Sequence, residues 1–239
     1  MSDCLVCRAA KVESFLDLGV VPLANALLEA KPATAESEAR YPLQVGYCHE
    51  CHAVQLLHLV APEELFSNYF YESSFSDAFV QHSKRYADDL KQRFDLGKDS
   101  FVVEVASNDG YLLKNFVAAG VPCLGVEPAQ NIAVKANAAG VPTLAKCAAD
   151  VLIGNNVLAH VPELVPFLEG VRSLLKEDGV AVFEFPWLRE FMRHLEFDTV
   201  YHEHVYYFSL HAVAKAAELA GLELFDVQEQ KVHGGSLRV

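Results

Sequence analysis

Apolar and polar positions alternate differently along three stretches of the chain. Before Leu59 the pattern is irregular: Lys31 to Arg40 is rich in Ala, Glu and Ser and reads as a solvated loop, and Tyr41-Pro42-Leu43-Gln44-Val45 reads as a short strand. From Pro62 the spacing becomes helical. Leu65, Phe66, Tyr69 and Phe70, then Phe75, Phe79 and Tyr86, carry an apolar stripe to the turn at Asp95-Leu96-Gly97, and Phe66, Phe70, Phe75 and Phe79 are expected in the core. After Gly97 short apolar runs alternate with helical stretches. Strands are predicted at Phe101 to Ala106, Cys123 to Glu127, Val141 to Leu144, Asp150 to Asn155, Val180 to Phe185, near Leu222 to Gln228, and at Ser236 to Val239. Helices are predicted after Gly110, from Ala129 to Ala139, from Glu163 to Leu175 and from Leu210 to Ala220, with a turn at Glu177-Asp178-Gly179. Alternating strand and helix units predict a parallel α/β sheet. The expected division is a small lobe over residues 1–61, bridging helices over 62–97 and the α/β domain over 98–239.

The lobe carries its own chemistry. Cys4-x-x-Cys7 and Cys48-x-x-Cys51 each have the spacing with which a tight turn offers two thiolates to one metal, and together they predict a tetrahedral four-sulfur Zn²⁺ site. A lobe this small has little core, so zinc binding worth on the order of 10 kcal/mol or more would be a large part of its stability. The competing readings are two disulfides or buried thiols. Met1 to Ala10 has no secretory character, which places the chain in the cytoplasm, where thiols stay reduced, and favours zinc. Cys123 and Cys147 sit in apolar stretches and are expected in the core.

Composition narrows the partners. The 239 residues carry a formal charge of −13, which argues against nucleic acid, because phosphate binding needs clustered Lys and Arg. The apolar windows around Val102 and Val151 are short and interrupted by Asn108, Asp109, Asn155 and Asn156, so they read as buried strands and not as membrane spans.

Val102 to Tyr111 places Glu104 in a buried strand, then a small-residue turn through Ser107, Asn108 and Gly110, then a helix. In a doubly wound sheet that turn borders the crevice where nucleotide-like ligands lie. Further on, Gly125-Val126-Glu127-Pro128 puts a carboxylate at the end of the next strand, suited to accept the hydroxyls of a ribose. Each feature alone is an ordinary turn or strand end; the pair marks a nucleoside site. Tyr201-His202-Glu203-His204 concentrates titratable groups later in the chain. In an extended stretch His202 and His204 point to opposite sides, which disfavours their ligating one ion.

With these motifs the chain resembles the zinc-containing sugar C-methyltransferases, which use S-adenosylmethionine to methylate C3 of nucleoside-diphosphate 4-keto-deoxysugars for branched antibiotic sugars. The resemblance rests on the two cysteine pairs, Pro22-Leu23-Ala24-Asn25, Tyr71-Glu72-Ser73-Ser74, Glu104 to Tyr111, Asn155 to Pro162, Glu184-Phe185-Pro186, Phe197 to His204 and His233 to Val239. It implies a class I, Rossmann-like methyltransferase sheet preceded by a zinc lobe, with S-adenosylmethionine and structural Zn²⁺ as cofactors and a nucleotide sugar as substrate. It implies that Glu104, Ser107, Asn108, Gly110, Tyr111, Glu127, Asn155 and Asn156 bind the cofactor. It assigns His204 as base, Glu203 and Tyr201 as orienting groups, and His160 and Tyr71 as further members of the catalytic site. Two departures stand out: only Ala145 to Ala149 bridge the third strand to Asp150 where the family has a longer connection near the adenine, and the family continues past Val239 into another α/β domain. These departures keep alive a fragment, a form completed by a second chain, or a non-catalytic zinc- and nucleotide-binding protein. An oxygen or nitrogen acceptor is the other alternative.

Overall fold

The computed structural model describes residues 3–10, 12–25, 38–61, 64–65, 73–127, 136, 140–141 and 149–239. Along the chain these include β1 (Val12–Pro22), β2 (Arg40–Cys48), β3 (Val54–Leu56), α1 (Asp77–Arg93), β4 (Val102–Val105), α2 (Lys114–Ala118), β5 (Cys123–Val126), β6 (Ala149–Asn155), α3 (Leu164–Leu174), β7 (Leu175–Pro186), α4 (Leu188–His194), β8 (Tyr206–Tyr207), α5 (Leu210–Leu219), β9 (Gln228–Gln230) and β10 (Ser236–Arg238). Phe66, Tyr69, Phe70, Cys147, most of the loop over 31–40, the helix expected over 129–139 apart from Ala136 and the strand expected over 141–144 apart from Val141 lie outside the described residues.

The chain folds as two compact units. One combines Met1–Leu65, Leu158–Leu168 and Phe185–Leu237; the other combines Phe66–Val157, Glu169–Glu184 and Arg238–Val239. The segment 185–237 shares a unit with the cysteine lobe. The reason is strand pairing. β3 has β2 on one side, and the backbone groups of its other side pair with β8, with Val54 opposite Tyr207 and Gln55 opposite Tyr206. The resulting sheet runs in the order β1-β2-β3-β8. Leu43, Val45, Val54 and Leu56 then share one core with Val200 and Tyr207. Strand β1 was not predicted, since register irregularities between Ser14 and Leu16 and between Asp17 and Val20 break its period of two. In the same unit Ser209 caps α5 by accepting the Ala212 amide at 3.2 Å. The strand expected over 222–228 is reduced to β9, and Phe225 is 63% exposed.

In the other unit β5, β4, β6 and β7 form a parallel sheet, with Val103 between Leu124 and Leu152 and Ile153 beside Val182. Strands β4, β5 and β6 are largely apolar and buried, as a sheet covered on both faces requires. Strand β7 begins earlier than expected. Leu175 pairs with Ala149 and Val180 with Val151, so the predicted Glu177-Asp178-Gly179 turn is a bulge inside one strand, tied by Lys176 Nζ to Asp150 at 2.7 Å. Helix α1 packs Phe79, Tyr86, Ala87 and Leu90 into the core at helical spacing. Phe75 does not join them: Ser76 caps α1 through the Phe79 amide, so Phe75 precedes the helix and is 82% exposed. Cys123 is buried as expected. Among the described residues no helix is long and apolar enough to cross a membrane.

Candidate functional site

The cysteine pairs form two matching turns. The Arg8 amide donates to the Cys4 carbonyl and the His52 amide to the Cys48 carbonyl, both at 2.9 Å, and Arg8 and His52 both take left-handed conformations, with φ 62° and 59°. Gln55 of β3 holds the first turn by accepting the Leu5 amide at 2.9 Å. All four sulfurs lie within 4.8 Å of one another, with Cys4 to Cys51 at 3.5 Å and Cys7 to Cys48 at 3.7 Å. A tetrahedron with Zn–S bonds of about 2.3 Å has edges of about 3.8 Å, so the set fits a zinc ion. Disulfides would need sulfurs about 2.0 Å apart, and these cysteines are unbridged. The contact with the Cys51 thiol lowers the pKa of Cys4 to about 5 and raises that of Cys51.

In the α/β unit the turn after β4 is a strained cradle. Ala106 and Asn108 sit at φ 54° and 48°, and Asn156, after β6, at 53°. A left-handed alanine costs about 1–2 kcal/mol, and such outliers persist where the surroundings hold them. The Ser107 amide donates to the Val126 carbonyl at 3.2 Å and the Asn108 amide to Glu127 Oε2 at 2.9 Å, which joins the turn to the end of β5. Gly125 makes the approach feasible, since a Cβ there would stand 2.5 Å from Ser107 Oγ. Gly110, at φ 79°, leaves no room either: a Cβ would meet Val141 at 2.9 Å.

Buried acceptors crowd this cradle. Among the described residues, both oxygens of Glu104 and the Oδ1 atoms of Asp109, Asn155 and Asn156 make no hydrogen bond of ordinary geometry. An unsatisfied buried acceptor costs about 1–3 kcal/mol. A ligand rich in donors or positive charge would satisfy them, and the ammonium and sulfonium of S-adenosylmethionine fit that requirement. Glu104 is fully buried, and burial raises its pKa well above the carboxylate range, with Tyr111 and Asn155 acting in the opposite direction. The Asn155 amide in turn donates to the Tyr111 hydroxyl at 3.5 Å.

The titratable cluster lies in the unit that carries the cysteines. His204 Nδ1 is 3.0 Å from the Thr199 carbonyl, which makes it the protonated nitrogen and leaves Nε2 to accept from the Tyr201 hydroxyl, also at 3.0 Å. The His160 ring lies 5.0 Å from that of His204. Burial lowers the pKa of His204 to about 4, the Thr199 contact opposing and His233 adding to the effect. Burial, then the neighbouring His204, lowers that of His160 to about 3. Glu203 accepts from Asn25 Nδ2 at 2.7 Å through Oε1, while its buried Oε2 makes no hydrogen bond among the described residues. Burial raises its pKa, and Asn25 opposes the rise. His202 turns the other way, to the Tyr41 carbonyl at 3.2 Å. Tyr71 lies outside the described residues. Sequence patterns missed Asn25, Thr199 and His233, although all three fall in segments that carry the family resemblance.

Neutral, largely enclosed histidines make folding sensitive to acid. Their folded pKa values lie below the unfolded value, so as pH falls from about 6.5 toward 4 the unfolded chain gains protons that the folded chain refuses, and stability drops. Glu104 and Glu203, with raised values, work in the opposite sense. The variant His160→Gln isolates the histidine part: between pH 7 and 4.5 its urea midpoint should gain on wild type by the equivalent of a few kcal/mol, and a constant gap would contradict the buried neutral state.

Comparisons with known proteins bear on the family and the fold. Residues 77–227 match a family model described as "Methyltransferase domain", and residues 4–66 match one described as "Putative zinc binding domain". The C-methyltransferase NovU of Streptomyces niveus is 35% identical over 253 residues, an alignment covering 100% of this chain and 60% of NovU, so the chain spans 60% of the length of that curated relative. A solved magnesium protoporphyrin IX methyltransferase from Synechocystis PCC 6803, with bound SAH, is similar with a TM-score of 0.54 at 14% identity, over 66% of this chain and 80% of that one. The mitomycin 7-O-methyltransferase MmcR is similar with a TM-score of 0.56 at 14% identity, over 67% and 53%. At these identities the likeness bears on the fold, which is that of class I S-adenosylmethionine-dependent methyltransferases.

Proposed function

Because the chain belongs to the methyltransferase domain family, we propose that it transfers a methyl group from S-adenosylmethionine to C3 of a nucleoside-diphosphate 4-keto-deoxysugar, with His204 as the base. The observation that carries this reading is the state of His204: a neutral imidazole whose Nδ1 is committed to Thr199, so that Nε2 offers a lone pair. Carbon has no lone pair of its own. A base must first take the proton next to the ketone, and the enolate that results must be held by donors.

His204 Nε2 takes the C3 proton once the Tyr201 hydroxyl turns from it, and that hydroxyl then donates to the developing enolate oxygen. His160 polarises the ketone, and Glu203 accepts a sugar hydroxyl through Oε2. Glu104, Asp109, Asn155 and Asn156 hold the donor-rich end of the cofactor, and Glu127 its ribose. Bound S-adenosylmethionine supplies a methyl group activated on a positively charged sulfur. A four-thiolate site suits a reducing compartment, which supports a cytoplasmic location.

The test incubates the purified chain with S-adenosylmethionine and a thymidine-diphosphate 4-keto-6-deoxy sugar in deuterium oxide, followed by mass spectrometry and NMR. Deuterium at C3 in recovered substrate and a methyl group on C3 of product are expected. Exchange without methyl gain would remove methyl transfer from the reading, and methylation on oxygen would remove the enolate.

A further inference from the structure

We propose that Asn25, on the loop leaving β1 of the cysteine lobe, is a positioning residue for the reaction, holding Glu203 so that its second carboxylate oxygen faces the sugar. The inference rests on the reading of Glu203 as a sugar-binding group. Asn25 Nδ2 donates to Glu203 Oε1 at 2.7 Å across 178 positions of sequence, and Glu203 is 3% exposed. With Oε1 taken by Asn25, the buried Oε2 is the oxygen left to receive a donor, and it makes no hydrogen bond among the described residues.

The rest of the catalytic stretch is mounted on the same sheet. His202 bonds to the Tyr41 carbonyl, and β8 pairs with β3. Tyr41 itself pairs with Val21, next to the last residue of β1, Pro22, which stands three positions before Asn25, while Val12 at the other end pairs with the zinc ligand Cys48. One strand pair therefore carries the metal turn at one end and the clamps on Tyr201-His202-Glu203-His204 at the other. The lobe is part of the catalytic apparatus and not only a staple. The titratable groups around Glu203 are His160, which bonds to its backbone, and its neighbours Tyr201, His202 and His204; Asn25 is the side chain whose hydrogen bond favours the ionised carboxylate.

The test compares Asn25→Ala and the isosteric Asn25→Asp with wild type, after zinc content and thermal midpoint establish folding. NMR titration of the Glu203 carboxyl should move upward in Asn25→Ala by about one pH unit, the effect of losing one hydrogen bond to a charged group, and further in Asn25→Asp, where two carboxyls face each other. Exchange at C3 should fall about 10-fold or more in kcat, with a smaller change in KM. An unmoved titration overturns the clamp whatever the activity. A moved titration with wild-type exchange overturns the positioning role, whereas absence of exchange in wild type overturns the reading of the site and leaves the titration to judge the clamp.

Discussion

Replacing His204 by Asn is expected to lower C-methylation about 10²- to 10⁴-fold, the usual contribution of a positioned base. Proton exchange at C3 should fall by the same factor, because both need Nε2. Asparagine can still donate to the Thr199 carbonyl, so the backbone around it keeps its anchor, and affinity for S-adenosylhomocysteine, measured by calorimetry, should stay unchanged. The pH profile gives a second check. The pKa of His204 is lowered to about 4 by burial, so kcat/KM of wild type should hold from neutrality down and fall as pH drops through about 4, where the imidazole gains the proton that disables it as a base. Turnover nearly intact in the variant would point to an oxygen or nitrogen acceptor, which needs no carbanion.

Removing one zinc ligand, Cys51→Ser, is expected to unfold the unit that carries it. Zinc in such a site contributes on the order of 10 kcal/mol or more, comparable with the roughly 5–15 kcal/mol that separates a folded domain from its unfolded chain. The apolar cluster on the cysteine sheet consists of six buried residues, Leu43, Val45, Val54, Leu56, Val200 and Tyr207, and the metal fixes the turns at the end of that sheet. Loss of bound zinc, a collapse of the urea midpoint and loss of methyl transfer should occur together, since Tyr201 to His204 stand in the same unit. A metal-free, folded variant with the wild-type midpoint would refute the structural role of the ion.

Local physics made much of this legible. The cysteine spacing announces its turns because a Cys-x-x-Cys turn is closed by hydrogen bonds within six residues, as between Cys4 and Ala9. Strands β4 to β6 are visible because both faces are buried and nearly every position is apolar. What escaped is what depends on distant partners. Phe75 lies on the helical stripe, but the Ser76 cap starts the helix after it. Leu222 to Val227 alternates like a strand but lacks a partner among the described residues, whereas β1 pairs along its length despite a broken alternation. The bond between Asn25 and Glu203 joins residues 178 positions apart, and no local pattern encodes it.

The way β8 completes the cysteine sheet bears on how such a protein can change by recombination. A gene segment copied up to Leu65 would encode all four sulfurs and three strands, but not Tyr206 and Tyr207, which cover the open edge of β3. Transplanted alone, it would expose that edge and strip Val200 and Tyr207 from its apolar core. Inheritance of the lobe is thereby bound to the polypeptide that follows, and the two must diverge together.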